Sequence, residues 1–169
     1  DAGTGAPDIL RAEVAWVPEF ASLGYLYSRE GTALREEAVD QAIGRYGAER
    51  VAVILGTSTS GIGEAELALP QWQGNGQWPP DFHYSQQEIG APSRFLVHES
   101  GARGPAWTIS TACSSSAKAL ASAARLLRAG IVDAVIAGGA DSLCRFTIEG
   151  FTALESVSSA RCNPFSRNR

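Results

Sequence analysis

A chain of 169 residues that is 44% hydrophobic and 19% charged can bury one substantial core, and it lies far from the polar compositions that stay unfolded. Its 14 basic and 18 acidic residues are intermixed and sum to −4, which excludes the basic face that nucleic-acid binding requires. No apolar run reaches the length of a membrane span, no signal peptide is visible, and three scattered cysteines match neither a zinc site nor a disulfide framework, so a cytoplasmic protein without metal or cofactor is expected.

Residues 1–30 read as irregular, with one short strand at Val14, Ala15, Trp16 and Val17 that Pro18 ends. The absence of any Met, including at the start, leads us to expect that the natural N-terminus lies upstream. From Thr32 to Tyr46, Leu34, Ala38, Ala42 and Tyr46 recur every four positions, and Gly47 follows, which predicts an amphipathic helix. The uniformly apolar Val51-Ala52-Val53-Ile54-Leu55 predicts a strand covered on both faces of a parallel sheet. The next segment, Gly56 to Gly63, is a loop of glycines and small hydroxyls at the carboxyl end of that strand, where α/β sheets gather ligands. A helix is expected to begin at Glu64 and reach Leu69, and residues 70–84, with Trp72, Trp78, Pro79 and Pro80, read as an excursion packed by its own aromatics.

Pro92 is placed to start a helix that Gly101 stops. Trp107, Thr108, Ile109 and Thr111 mark a second strand, followed by a helix from Ala112 to Ala129 closed by Gly130. Ala117, Leu120, Ala121 and Ala124 are expected to give that helix a small-residue face lying close to a sheet. Val132 to Ala137 reads as another strand, and residues 148–154 as a short helix. The repeated β-α-β order predicts a parallel sheet with helices on both sides.

The segment with chemical content is Thr111-Ala112-Cys113-Ser114-Ser115-Ser116, where strand gives way to helix. A sulfur there lies near unsatisfied backbone N–H groups and the positive end of the helix dipole, which favour negative charge on the sulfur or on an attacked thioester oxygen. A helix end typically supplies ~0.3–1 kcal/mol, against roughly 2 kcal/mol needed to hold an ordinary thiol half-ionised at neutral pH, so a second activating group is expected. The two histidines, His83 and His98, read as ordinary surface or core residues. Spacing alone leaves Cys113 open between a nucleophile and a small buried hydrophobe, whereas Cys144 and Cys162 read as structural.

These residues resemble the β-ketoacyl-acyl carrier protein synthase family of the thiolase-like fold. The resemblance spans four segments in family order from about Val51 onward. They are Val53-Ile54-Leu55-Gly56-Thr57 with Gly61-Ile62-Gly63; Gly104-Pro105 leading into Ser110-Thr111-Ala112-Cys113-Ser114-Ser115; Ala137-Gly138-Gly139-Ala140-Asp141; and Gly150-Phe151-Thr152-Ala153-Leu154 followed by Cys162-Asn163-Pro164-Phe165. The resemblance implies one half of a thiolase-like α/β fold: a mostly parallel, five-stranded-type sheet between helices in α-β-α layers, incomplete in this chain. It implies that residues 1–169 are an N-terminal half, and that the family's two catalytic histidines, its lysine and its Gly-Phe-rich loop belong to a C-terminal half beyond Arg169. The family's first strand is not recognisable in the sequence.

The implied chemistry is transfer of an acyl group from acyl carrier protein to Cys113, then decarboxylative condensation with malonyl-carrier protein in fatty-acid biosynthesis. In the family the Cys113 backbone N–H contributes to the oxyanion hole, and the residue matching Ile62 lines the acyl pocket. The 169-residue chain alone is expected to be inactive in condensation. A homodimer is implied too, formed through the strand before the nucleophile, Trp107 to Ser110, since an unpaired edge invites association. Polyketide or polyene assembly is the alternative, for which Ser114-Ser115-Ser116 argues, while Gly139-Ala140-Asp141 and Pro164-Phe165 suit fatty-acid enzymes. A thiolase is disfavoured by the same serine run, and a cysteine hydrolase by Thr111 and Ser115 where its motif needs glycine. A non-catalytic half-domain partner is the last reading.

Overall fold

The repeated strand-helix order folds as it predicts, into a single parallel sheet between helical layers. The computed structural model describes residues 8–11, 32–142 and 144–159. In chain order these form β1 (Asp8–Arg11), α1 (Thr32–Tyr46), β2 (Val51–Gly56), α2 (Ile62–Asn75), α3 (Ala91–Ser100), β3 (Ala106–Ile109), α4 (Ser115–Arg128), β4 (Ala134–Gly139) and α5 (Arg145–Ala153). The four described strands are all parallel, in the order β1-β4-β2-β3. β1 was not legible in advance; the strand expected at residues 14–17 lies outside the described residues.

Period-two alternation divides the core. Ala52 and Ile54 of β2, with Val135 and Ala137 of β4, face Ala119, Ala123 and Leu127 of α4. Val51, Val53 and Leu55, with Ala134 and Ile136, face the opposite layer, where Ala42 of α1 is buried and Leu96 and Val97 of α3 pack against them. Burying a side chain the size of Ile54 or Leu55 contributes about 1.5–3 kcal/mol each.

Four elements differ from expectation, the first being β4, which runs from Ala134 through Gly139 rather than from Val132 to Ala137. α4 begins at Ser115 rather than Ala112, because Ala112 adopts a left-handed conformation (φ 52°) that no right-handed helix accommodates. Its buried face is consequently Ser115, Ala119, Ala123 and Leu127, while Ala117 and Ala121 are exposed. α2 continues through Pro70 to Asn75 and stops at Gly76 in the left-handed conformation. The residues beyond it are packed by aromatics as expected, Trp78 stacking on both Trp72 and Phe82 at centroid separations of 5.5 and 4.8 Å. α5 starts one turn early, at Arg145.

Arg50 fastens the entry of β2 to the turn between α4 and β4. Its guanidinium donates to Asp133 Oδ2 at 2.7 Å, to the Ile131 carbonyl at 2.8 Å and to the Gly130 carbonyl at 3.1 Å. The hydrogen bond from Arg50, then its charge, holds the Asp133 carboxyl below the usual aspartate range. A carboxyl depressed in the folded state stabilises above its unfolded pKa and loses that contribution as pH falls through the folded value. Asp133→Asn should therefore melt below the parent near neutral pH, with the gap closing below about pH 4, measured by thermal unfolding across a pH series.

Candidate active site

Two glycines create the seat of Cys113. A Cβ on Gly56, at the end of β2, would lie 2.4 Å from the Ser115 carbonyl carbon and 2.5 Å from the Ser116 nitrogen. One on Gly139, at the end of β4, would meet Ser116 Oγ at 1.8 Å. The first turn of α4 thus rests directly on the carboxyl ends of the two central strands, a contact only side-chain-free positions permit.

The chain reaches that turn through a tight bend after β3. Thr111 N–H donates to Ser115 Oγ at 2.8 Å, and the Ser115 hydroxyl, itself buried, donates to the Ala112 carbonyl at 2.6 Å. Ser115 N–H also donates to the Ala112 carbonyl at 3.0 Å, and Ser114 Oγ donates to the Thr111 carbonyl at 2.9 Å. These bonds hold Ala112 at positive φ and bring Cys113 out of the sheet one residue before the helix N-cap, Ser114, with its thiol exposed. Alanine tolerates that conformation at a cost of roughly 1–2 kcal/mol that glycine does not carry. Ala112→Gly should fold with stability equal to or above the parent, whereas a β-branched Ala112→Val should lower it, as denaturant titration would register.

A second loop, between β2 and α2, lies beside this one. Asp141, just past β4, organises it: its Oδ1 accepts from Ser58 N–H at 2.6 Å, Thr59 N–H at 2.7 Å, Thr57 Oγ1 at 2.9 Å and Thr59 Oγ1 at 3.0 Å. Ser60, buried and at φ 47°, donates its hydroxyl to the Glu88 carbonyl at 2.8 Å, and Ser142 Oγ donates to the Ser60 carbonyl at 2.9 Å. The loop delivers Ile62 as the first residue of α2, half-buried, where it lines a groove of about 660 Å³ together with Leu69, Trp78, Phe82, His83 and Phe146. Cys113 is not among the residues lining that groove. Glu64, in the first turn of α2, is held above the ordinary carboxylate range by partial burial and then by the charge of Asp81.

The remaining sequence candidates separate clearly. His83 is exposed on the groove, its backbone N–H donating to Gln86 Oε1 at 3.0 Å, while His98 is an exposed residue of α3 beside Glu99. Cys144 is buried at the N-terminus of α5, with Sγ 3.3 Å from Thr147 Oγ1, and Cys162 lies outside the described residues. The bonding role of Asp141 and the left-handed Ala112 were not derivable from the sequence, where Asp141 stood only as part of a resembling segment. Among the described residues no His, Cys, Asp and Glu cluster capable of holding a metal occurs, and no helix is long and apolar enough to cross a membrane.

Comparison with known proteins assigns this architecture. The family described as "Beta-ketoacyl synthase, N-terminal domain" matches residues 32–169, and the chain belongs to that family. Nodulation protein E of Rhizobium sp. (strain N33) is 28% identical over 164 residues, covering 96% of this chain and 40% of the relative. The ketoacyl synthase alpha subunit of the tetracenomycin polyketide synthase of Streptomyces glaucescens is 28% identical over 153 residues, covering 81% of this chain and 35% of the relative. Among solved structures, the ketosynthase ApeO in complex with its chain length factor ApeC, from Xenorhabdus doucetiae, is 43% identical with a TM-score of 0.67, covering 96% of this chain and 43% of that one. The chain therefore spans well under half the length of these relatives. The thiolase-like α/β reading of the sequence agrees with these neighbours.

Proposed function

We propose that this chain provides the nucleophile of a β-ketoacyl synthase, with Cys113 accepting the growing acyl chain. The observation carrying this reading is an exposed cysteine at the mouth of α4, on a bend built by hydrogen bonds, in a chain matched to the family over residues 32–169. In the first step the Cys113 sulfur attacks the thioester carbonyl of an acyl chain on acyl carrier protein. The carbonyl oxygen takes up the charge, which the Cys113 backbone N–H steadies, and collapse expels the carrier's thiolate. In the second step malonyl-carrier protein loses carbon dioxide, and its carbanion attacks the Cys113 thioester. The sulfur leaves, and the product is a β-ketoacyl thioester two carbons longer. The groove lined by Ile62 receives the acyl chain. The histidines and lysine that assist decarboxylation come from the C-terminal half of the family's fold.

Two pathways fit this chemistry. Fatty-acid synthesis is the reading of Gly139-Ala140-Asp141 and Pro164-Phe165. Polyketide or polyene assembly is favoured by the identity of 43% to a ketosynthase solved with a chain length factor, and by the tetracenomycin relative. The test is to supply the natural full-length protein with acyl- and malonyl-carrier protein and analyse the products by mass. One round of extension supports the fatty-acid reading and repeated rounds without reduction the alternative; release of free acid alone would contradict both.

β3 is one of the two edge strands of the described sheet, with Trp107 37% exposed, which supports pairing of this strand with a homologous subunit. Sedimentation of the full-length protein should give a dimer, either of two copies or with a chain-length-factor-like partner when one is co-expressed. A concentration-independent monomer in both cases would contradict the pairing.

A further inference from the structure

Ile62, Ala65, Glu66 and Leu69 stand at positions i, i+3, i+4 and i+7 of α2 and all line the groove, so a carboxylate lies on an otherwise apolar helix face. Such a group needs compensating donors. Glu66 finds them across the groove: Oε2 accepts from Arg145 N–H at 2.8 Å and Oε1 from Phe146 N–H at 2.6 Å. These are first-turn amides of α5, which have no acceptor within their own helix, and the positive end of the helix dipole adds to the attraction.

Among the described residues little else fixes α5 in place. None of its nine residues is buried, and its ion pair, Arg145 with Glu149, is internal to the helix and cannot set its position. The segment before it is seated on α2 where Ser142 Oγ accepts from Gly63 N–H at 3.3 Å and a Cβ on Gly63 would stand 3.7 Å from Cys144 Cβ. Glu66, one turn further along α2, extends that seam to the residue that matters, since Phe146 is itself a wall of the groove.

We propose that Glu66 is a positioning residue for acyl-chain selection: its bidentate grip on the N-terminus of α5 holds Phe146 in place and thereby sets the room available to the chain. This rests on the groove serving an acyl chain carried by Cys113. Removing the grip lets Phe146 retreat, so longer chains gain relative to shorter ones. Glu66→Gln keeps the length and one acceptor oxygen and retains part of the selection.

The test uses the natural full-length protein, loaded in parallel from butyryl- and dodecanoyl-carrier protein, with acylation of Cys113 followed by intact mass. Glu66→Ala should raise the ratio of long-chain to short-chain loading rates by about tenfold, the scale at which methylenes are discriminated in apolar pockets, with Glu66→Gln in between. Phe146→Ala should shift the ratio the same way, and amide exchange at Arg145 and Phe146 should accelerate in Glu66→Ala. An equal fall for both chains would reduce Glu66 to a structural part and overturn the inference. So would an unchanged ratio in Glu66→Ala while Phe146→Ala shifts it, an outcome that leaves the acyl groove standing. If Cys113 loads but Phe146→Ala and a bulkier Ile62→Trp both leave the ratio unmoved, the groove is not the chain's seat and the inference falls with it. Failure of the parent to load Cys113 from either carrier overturns the proposed function itself.

Discussion

Gly56→Ala is expected to destabilise the fold and to unseat the nucleophile together. The added methyl would sit 2.4 to 2.7 Å from three backbone atoms, the Ser115 carbon, the Ser116 nitrogen and the Ser115 oxygen, none of which can rotate away as a side chain would. Overpacking costs about 1–3 kcal/mol, and a clash with backbone belongs at the top of that range. In a domain of this size that corresponds to a fall of about 6–12 °C in Tm. Relief requires the first turn of α4 to rise from the sheet and carry Cys113 with it. A shift on the order of 1 Å in a reacting group can cost about 10²-fold in rate, so acyl loading should drop by more than the loss of folded protein explains. Gly44→Ala, inside α1 where the new Cβ meets nothing within 4 Å, is the control, expected to leave loading unchanged and to raise stability by ~0.5–1 kcal/mol. A Gly56→Ala variant that melts and loads like the parent would refute the seating argument.

Cys113→Ala is expected to abolish acyl transfer, by on the order of 10³-fold or more, while leaving the melting temperature close to the parent's because the side chain is exposed. Cys144→Ala should do the reverse. That side chain is buried with its sulfur against Thr147 Oγ1, so removing it opens a small void and lowers stability, while loading per folded molecule persists. The crossed result, activity following Cys144 and stability following Cys113, would invert the roles assigned to the two cysteines.

Much of this was legible because local signals and tertiary demands coincide at β2 and α3. A run such as Val51 to Leu55 has no polar position to show water, so it must lie between two layers, and it does. Gly101, at φ 70°, ends α3 where the sequence places the stop, and Pro92 lies in its first turn. The buried stripe of α4 was not legible, because alanines occupy both of its faces. The choice between Ala117 and Ala121 on one side and Ala119 and Ala123 on the other depends on where the helix starts, and the turn at Ala112 sets that start. α2 passes Pro70, at which the Glu66 carbonyl loses its usual helical donor, a local penalty set against the stacking of Trp72, Trp78 and Phe82 beyond it.

The site was legible in part. Cys113 lies at the strand-to-helix junction the sequence points to, though ahead of α4 rather than inside it, and Ile62 is the first residue of α2, whereas the sequence puts it in the loop before a helix from Glu64. The partners that shape their loops are distant in the chain: Asp141 reaches back 82 to 84 residues to Thr57, Ser58 and Thr59, and Glu66 reaches 79 and 80 residues forward to Arg145 and Phe146. No periodicity or composition signals such pairs, because they arise only when the carboxyl ends of β2 and β4 are brought side by side.

The most direct measurement is to incubate the full-length protein with acyl-carrier protein and map the acylated peptide by tandem mass spectrometry. A hydroxylamine-labile thioester on Cys113 is the expected result; modification confined to Cys144 or Cys162, or no covalent adduct at all, would contradict the role given to Cys113.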